Sequence, residues 1–187
     1  MVRSDIGASG VAFTLDTESG YRGSIFITSS YGLGEGIVQG TVNPDEFYVF
    51  KEALEKNDFP IIKKSLGEKA KKMIFADNNL PGKSVKYIRV PKKETNKFSL
   101  TNSEIIELAK CAKTIEDHYK VPMDIEWAKD GKDKKIYILQ ARPETVQSKV
   151  SNYFERYTLK EKGELIVSGK SVGQKIGTGT ALSLIHI

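Results

Sequence analysis

The sequence predicts an α+β fold, a mixed or antiparallel sheet with helices packed on it. Two pairs of short apolar runs joined by polar turns read as hairpins, and one long stretch, Thr101 to Lys120, carries apolar residues at helical spacing. With 39% hydrophobic and 28% charged residues, the composition is that of a globular chain. No run approaches the ~20 apolar residues that span a bilayer, and no charged-then-apolar leader opens the chain. The lone cysteine, Cys111, has no partner for a disulfide. The expected setting is therefore the reducing cytoplasm, with no membrane partner.

In chain order, Val11 to Leu15 reads as a strand, Asp16 to Gly20 as a polar turn and Ser24 to Thr28 as the returning strand. A glycine-rich loop, Gly32-Leu33-Gly34-Glu35-Gly36, precedes Ile37 to Gly40, a short turn or helix start. Asn43-Pro44-Asp45 is a turn signal, and Glu46 to Lys51 a strand. From Glu52 to Ser99 the chain is lysine-rich and weakly periodic, with short strands expected near Ile61-Ile62, Met73 to Phe75 and Val85 to Val90. Lys plus Arg number 29 against 24 Asp plus Glu, a formal charge of +5, and much of the excess lies here, including Lys63-Lys64 and Lys69 to Lys72. Aromatics are not regularly interleaved with these lysines, so they read as solvated surface and no nucleic-acid partner is expected.

Thr101 and Glu104 form a capping-box pattern. Ile105, Leu108, Ala109, Ala112, Ile115 and Tyr119 follow on one helical face, with Cys111 at its border as a small buried residue. His118 lies near the helix end, where a cation suits the dipole and no catalytic role is needed. Val121-Pro122 ends the helix. Asp124 to Ala128 and Lys135 to Arg142, joined through Asp130-Gly131, read as a second hairpin.

The second hairpin carries the chemistry. Alternation puts Asp124 and Glu126 on one face of the first strand, and Gln140 and Arg142 on one face of the second. A register pairing Glu126 with Gln140, or with Ile138, gathers two carboxylates, an amide and a guanidinium on one surface. Carboxylate and amide oxygens are hard ligands of the kind Mg²⁺ takes alongside phosphate oxygens, and an arginine can grip phosphate with two bonds. An exposed polar face with Arg142 paired to a carboxylate explains the same pattern, and spacing alone leaves both open. The glycine loop is no Walker A loop, since no Lys-Ser or Lys-Thr follows its glycines. The Gly82-Lys83-Ser84 and Gly169-Lys170-Ser171 endings lack the earlier glycine, with Asp77 and Glu164 in its place. A tight turn is its simpler reading.

Met1 to Asp16 (MVRSDIGASGVAFTLD), Gly32 to Phe47 (GLGEGIVQGTVNPDEF) and Asp124 to Thr145 (DIEWAKDGKDKKIYILQARPET) resemble the nucleotide-binding domain of the phosphoenolpyruvate synthase family, the pyruvate, water dikinases. Pyruvate phosphate dikinase and rifampin phosphotransferase share that architecture. The resemblance runs to about Gly179. It implies the C-terminal part of an ATP-grasp domain over residues 1–148, then a linker and the first strand of a swivelling phosphohistidine domain over 149–181. It implies ATP as substrate and Mg²⁺ as cofactor, with residues matching Glu126 and Gln140 holding Mg²⁺ and ATP phosphates. Arg142 would contact phosphate, Asp124 would lie close to the metal, Met1 and Val2 would fall near the hinge that contacts adenine, and the Gly32-to-Gly36 loop with Asn43-Pro44-Asp45 would buttress the phosphate end.

The implied reaction converts pyruvate, ATP and water to phosphoenolpyruvate, AMP and phosphate through a phosphohistidine, a gluconeogenic step. The catalytic histidine and the pyruvate-binding barrel have no counterpart here, so no catalytic residue is expected in this chain and pyruvate is reached only through other domains. The expectation is an internal fragment, inactive by itself; a homodimeric parent is compatible with the resemblance. A related dikinase or rifampin-type phosphotransferase would use the same ATP site, and a non-catalytic basic binding module is the alternative from another class. Leu182 to Ile187 resembles a translated sequencing adapter, with a short strand as the alternative.

Overall fold

Strand alternation decides which face of the sheet a helix covers. The computed structural model describes residues 1–56, 59–76, 84–145 and the positions 163, 164, 166 and 179. By compactness the chain divides into Met1–Ser151 and Asn152–Ile187. The linker, phosphohistidine strand and adapter tail expected after residue 148 fall almost wholly outside the described residues.

In the first unit, a 3-10 turn (Ser4–Ile6) leads into β1 (Ala8–Phe13) and β2 (Ser24–Tyr31). Then come α1 (Glu35–Val38), β3 (Asp45–Phe50), α2 (Lys51–Lys56), β4 (Ile61–Ser65), β5 (Lys71–Phe75) and β6 (Val85–Arg89). The last elements are α3 (Lys92–Thr95), α4 (Asn102–Tyr119), β7 (Met123–Lys129) and β8 (Ile136–Pro143). Six strands form one sheet in the order β4-β3-β2-β1-β7-β8, and β5 pairs with β6 as a separate ribbon. Among the described residues these strand pairings are all antiparallel. The expected α+β class with an antiparallel sheet is what the chain adopts.

Both predicted hairpins form. Between β1 and β2, the Asp16 carboxylate accepts from the Glu18 and Ser19 amides, at 3.2 Å each, and Gly20 takes a left-handed φ of 73°. The long helix packs on one face of the sheet: Ile105, Leu108, Ala109 and Ala112 are buried against Ala12, Ile25, Ile27, Phe47, Ile125 and Trp127. Its capping box is complete, with Glu104 N donating to Thr101 Oγ1 at 3.3 Å and Thr101 N to Glu104 Oε2 at 2.9 Å. Lys120 ends it in the left-handed region. The half-buried Lys51–Glu116 pair, 2.7 Å apart, ties the start of α2 to α4. Burial lowers the Lys51 pKa, and Glu116 opposes that shift.

Three local expectations fail. Cys111 is exposed, because it lies a full ~100° step around the helix from buried Ala112. Tyr119 is exposed, because α4 outruns the sheet beneath it. Lys69, expected as solvated surface, is entirely buried, because Asp45 meets it with a carboxylate. The helix α2 carried no clear sequence signal and appears where β3 ends. No described helix is long and apolar enough to cross a membrane.

Candidate functional site

The sheet presents its second face, opposite α4, as the alternation of β7 requires. Met123, Ile125 and Trp127 are buried toward the helix, while Asp124 and Glu126 are half-buried on the other side. The register between β7 and β8 pairs Asp124 with Arg142 and Glu126 with Gln140. It then slips, so that Trp127 faces Ile138 and Leu139 is the extra residue. Of the two registers left open by spacing, the chain uses the one that sets Glu126 opposite Gln140.

Asp124, Glu126, Gln140 and Arg142 thus form two adjacent cross-strand pairs on one surface. Arg142 donates from Nε to Asp124 Oδ2 at 2.8 Å, and its Nη2 lies 2.7 Å from the same oxygen. The carboxylate pairing expected for an ordinary polar face is therefore present. Yet the Arg142 side chain stays 65% exposed while Asp124 is 12% exposed, so the carboxylate fixes one edge of a guanidinium that still faces solvent. The hydrogen bond to Asp124 raises the Arg142 pKa above its ordinary value, with the Asp124 and Glu126 charges adding. Gln140 is exposed.

Glu126 also borders a cleft of about 500 Å³, lined among others by Val2, Ser9, Leu33, Gly34, Glu35 and Leu139. Ser9 on β1 ties the floor to the glycine loop, its Oγ donating to Gly32 O at 2.6 Å. Gly32 has a φ of 88° and the Leu33 amide donates to Met73 O at 2.9 Å, so the loop is a tight turn held by the ribbon. Val2 lines the cleft, whereas Met1 is fully exposed and is not among its lining residues. Sequence reasoning singled out the loop that carries Leu33 and Glu35 but missed Ser9 and Leu139. One usable signal was Gly10 inside β1, where a Cβ would fall 1.9 Å from Thr28 O and 3.0 Å from the Trp127 ring.

Among the described residues no three His, Cys, Asp or Glu side chains converge into an all-protein metal site. One carboxylate opposite one amide instead suits a hard cation that completes its shell with phosphate oxygens and water.

The family model described as pyruvate phosphate dikinase, AMP/ATP-binding domain, matches residues 1–162. The chain belongs to this family. Its relatives include a phosphoenolpyruvate synthase of Pseudomonas aeruginosa, 57% identical over 180 residues, covering 96% of this chain and 23% of the relative. The phosphoenolpyruvate synthase of Escherichia coli is 52% identical over 186 residues, covering 100% of this chain and 23% of the relative. That of Pyrococcus furiosus is 37% identical over 183 residues, covering 96% and 21%. This family member thus spans less than a quarter of the length of these relatives.

Proposed function

We propose that this chain is the ATP-binding portion of a phosphoenolpyruvate synthase, with an ATP-grasp fold completed by parts of the parent outside it. The observation that carries the reading is the paired placement of Glu126 with Gln140 and of Asp124 with Arg142, beside a cleft large enough for a nucleotide. In this reading the nucleotide lies in the cleft with its adenosine end toward Val2 and its phosphate end toward the glycine loop. The polyphosphate runs over the β7–β8 face. Arg142, oriented by Asp124, supplies a fixed positive charge to a phosphate oxygen. Glu126 and Gln140 would hold Mg²⁺ through their side-chain oxygens, and the bound ion neutralises polyphosphate charge. The chain's own contribution is positioning and charge complementarity, which suits phosphoryl transfer.

In the parent, the reaction consumes pyruvate, ATP and water and yields phosphoenolpyruvate, AMP and phosphate. The acceptor histidine and the pyruvate site belong to its other domains, and the setting is cytoplasmic. Glu126→Ala and Gln140→Ala in the full-length protein are each expected to abolish pyruvate-dependent AMP formation. Near-normal AMP formation by either variant would remove the site assignment.

A further inference from the structure

A buried ion pair sits behind the ribbon that holds the cleft loop. Asp45 and Lys69 contact each other with both side chains at 0% exposure. Such a pair is weak evidence for stability, because desolvation cancels much of the attraction; its best-attested use is to specify one geometry. Here the geometry is tightly specified. Asp45 Oδ1 accepts from Lys69 Nζ and from Gly67 N at 2.9 Å. Asp45 Oδ2 accepts from Ser99 N at 2.8 Å and Ser99 Oγ at 2.7 Å. Lys69 Nζ also donates to Gly67 O at 3.0 Å, and Lys69 N to Asn43 O at 3.1 Å. Lys69 holds a left-handed φ of 43°, a region lysine seldom adopts. Gly67 approaches so closely that a Cβ there would meet Pro44 O at 2.2 Å.

The node leads directly to the cleft. Two residues after Lys69 the chain enters β5, and Met73 O on β5 accepts the Leu33 amide at 2.9 Å. Gly32 lies against the same carbonyl, where a Cβ would come within 2.5 Å. On β6, the Tyr87 and Thr41 hydroxyls are 3.0 Å apart, a second tie between the ribbon and the segment after α1.

We propose that Asp45 and Lys69 are positioning residues for nucleotide binding. Their pair fixes where the β5–β6 ribbon leaves the main sheet, and the ribbon fixes the Gly32–Glu35 loop beside the cleft. Neither residue touches the nucleotide. The inference rests on the cleft being the ATP site proposed above.

The test uses the full-length protein, with the MgATP dissociation constant from equilibrium dialysis and Tm as readouts. The paired variant Asp45→Leu/Lys69→Met removes both charges together, so neither is left buried alone. Ser99→Ala removes the hydroxyl's contacts with Asp45 Oδ2 and with buried Ser29 Oγ, so the Asp45 carboxylate loses one of the groups that orient it toward Lys69. The positioning role predicts that MgATP binding weakens about tenfold in the paired variant and several-fold in Ser99→Ala, while Tm stays within a few degrees. A folded paired variant that binds MgATP like the wild type overturns the proposal. Should the paired variant fail to fold, wild-type binding by Ser99→Ala overturns it. If Glu126→Ala binds MgATP as tightly as the wild type, the ATP-site reading has failed instead, and the two failures are separable.

Discussion

Replacing Asp124 with alanine separates stability from function at the β7–β8 face. The change removes the one oxygen that holds both Nε and Nη2 of Arg142. Because Arg142 is 65% exposed, the pair is screened by water and contributes little to stability. In a unit of about 150 residues, 1 kcal/mol moves Tm by roughly 2–4 °C. Asp124→Ala should therefore melt no more than about 4 °C below the wild type. The functional effect should be larger. Freed of its tether, the guanidinium explores several rotamers, and a misplacement of about 1 Å can cost on the order of 10²-fold in rate. The expected result is a fall of about 10- to 100-fold in kcat/KM for MgATP in the full-length protein, with Asp124→Asn, which keeps one acceptor, in between. Thermal unfolding followed by circular dichroism and initial rates of AMP formation supply the two numbers. If Arg142→Ala is inactive while Asp124→Ala turns over within about threefold of the wild type, the positioning argument for Asp124 is wrong.

Leu108→Ala removes a fully buried side chain beneath the sheet and should cost about 2–5 kcal/mol in urea unfolding with an unchanged m-value. Gly32→Ala combines a left-handed φ of 88° with a Cβ 2.5 Å from Met73 O. It should lose at least the ~1–2 kcal/mol of the backbone penalty and weaken MgATP binding, as measured by denaturant titration and dialysis. Glu104 has its pKa lowered from the ordinary 4.5: burial opposes the shift, but the hydrogen bonds from Lys129 and from Thr101 at the helix cap outweigh it. Its contribution is thus present above that ordinary value and is lost as pH falls through the lower folded one. The Tm gap between the wild type and Glu104→Gln should be widest near pH 6 and close toward pH 3; a gap that persists undiminished at pH 3 would contradict this assignment.

Much of the fold was legible because its signals are local. The capping box at Thr101 and Glu104, the spacing of Ile105, Leu108 and Ala112, and the alternation of β7 each depend on residues a few positions apart. The same alternation set Asp124 with Glu126, and Gln140 with Arg142. Errors came where a distant partner decides. Lys69 looks like any lysine of a basic stretch until Asp45, 24 residues away in the chain, meets it inside the protein. Tyr119 fits the helical period but lies beyond the sheet that would cover it.

Sequence alone therefore determined which side chains share a face, since backbone periodicity requires nothing from the rest of the chain. Tertiary structure decided how those faces meet. It chose the register that puts Glu126 across from Gln140, buried the Asp45–Lys69 pair and brought the ribbon against Gly32. Each of these depends on the summed packing of segments remote in sequence, where a strand can slip or a charge be buried only if every neighbour accommodates it.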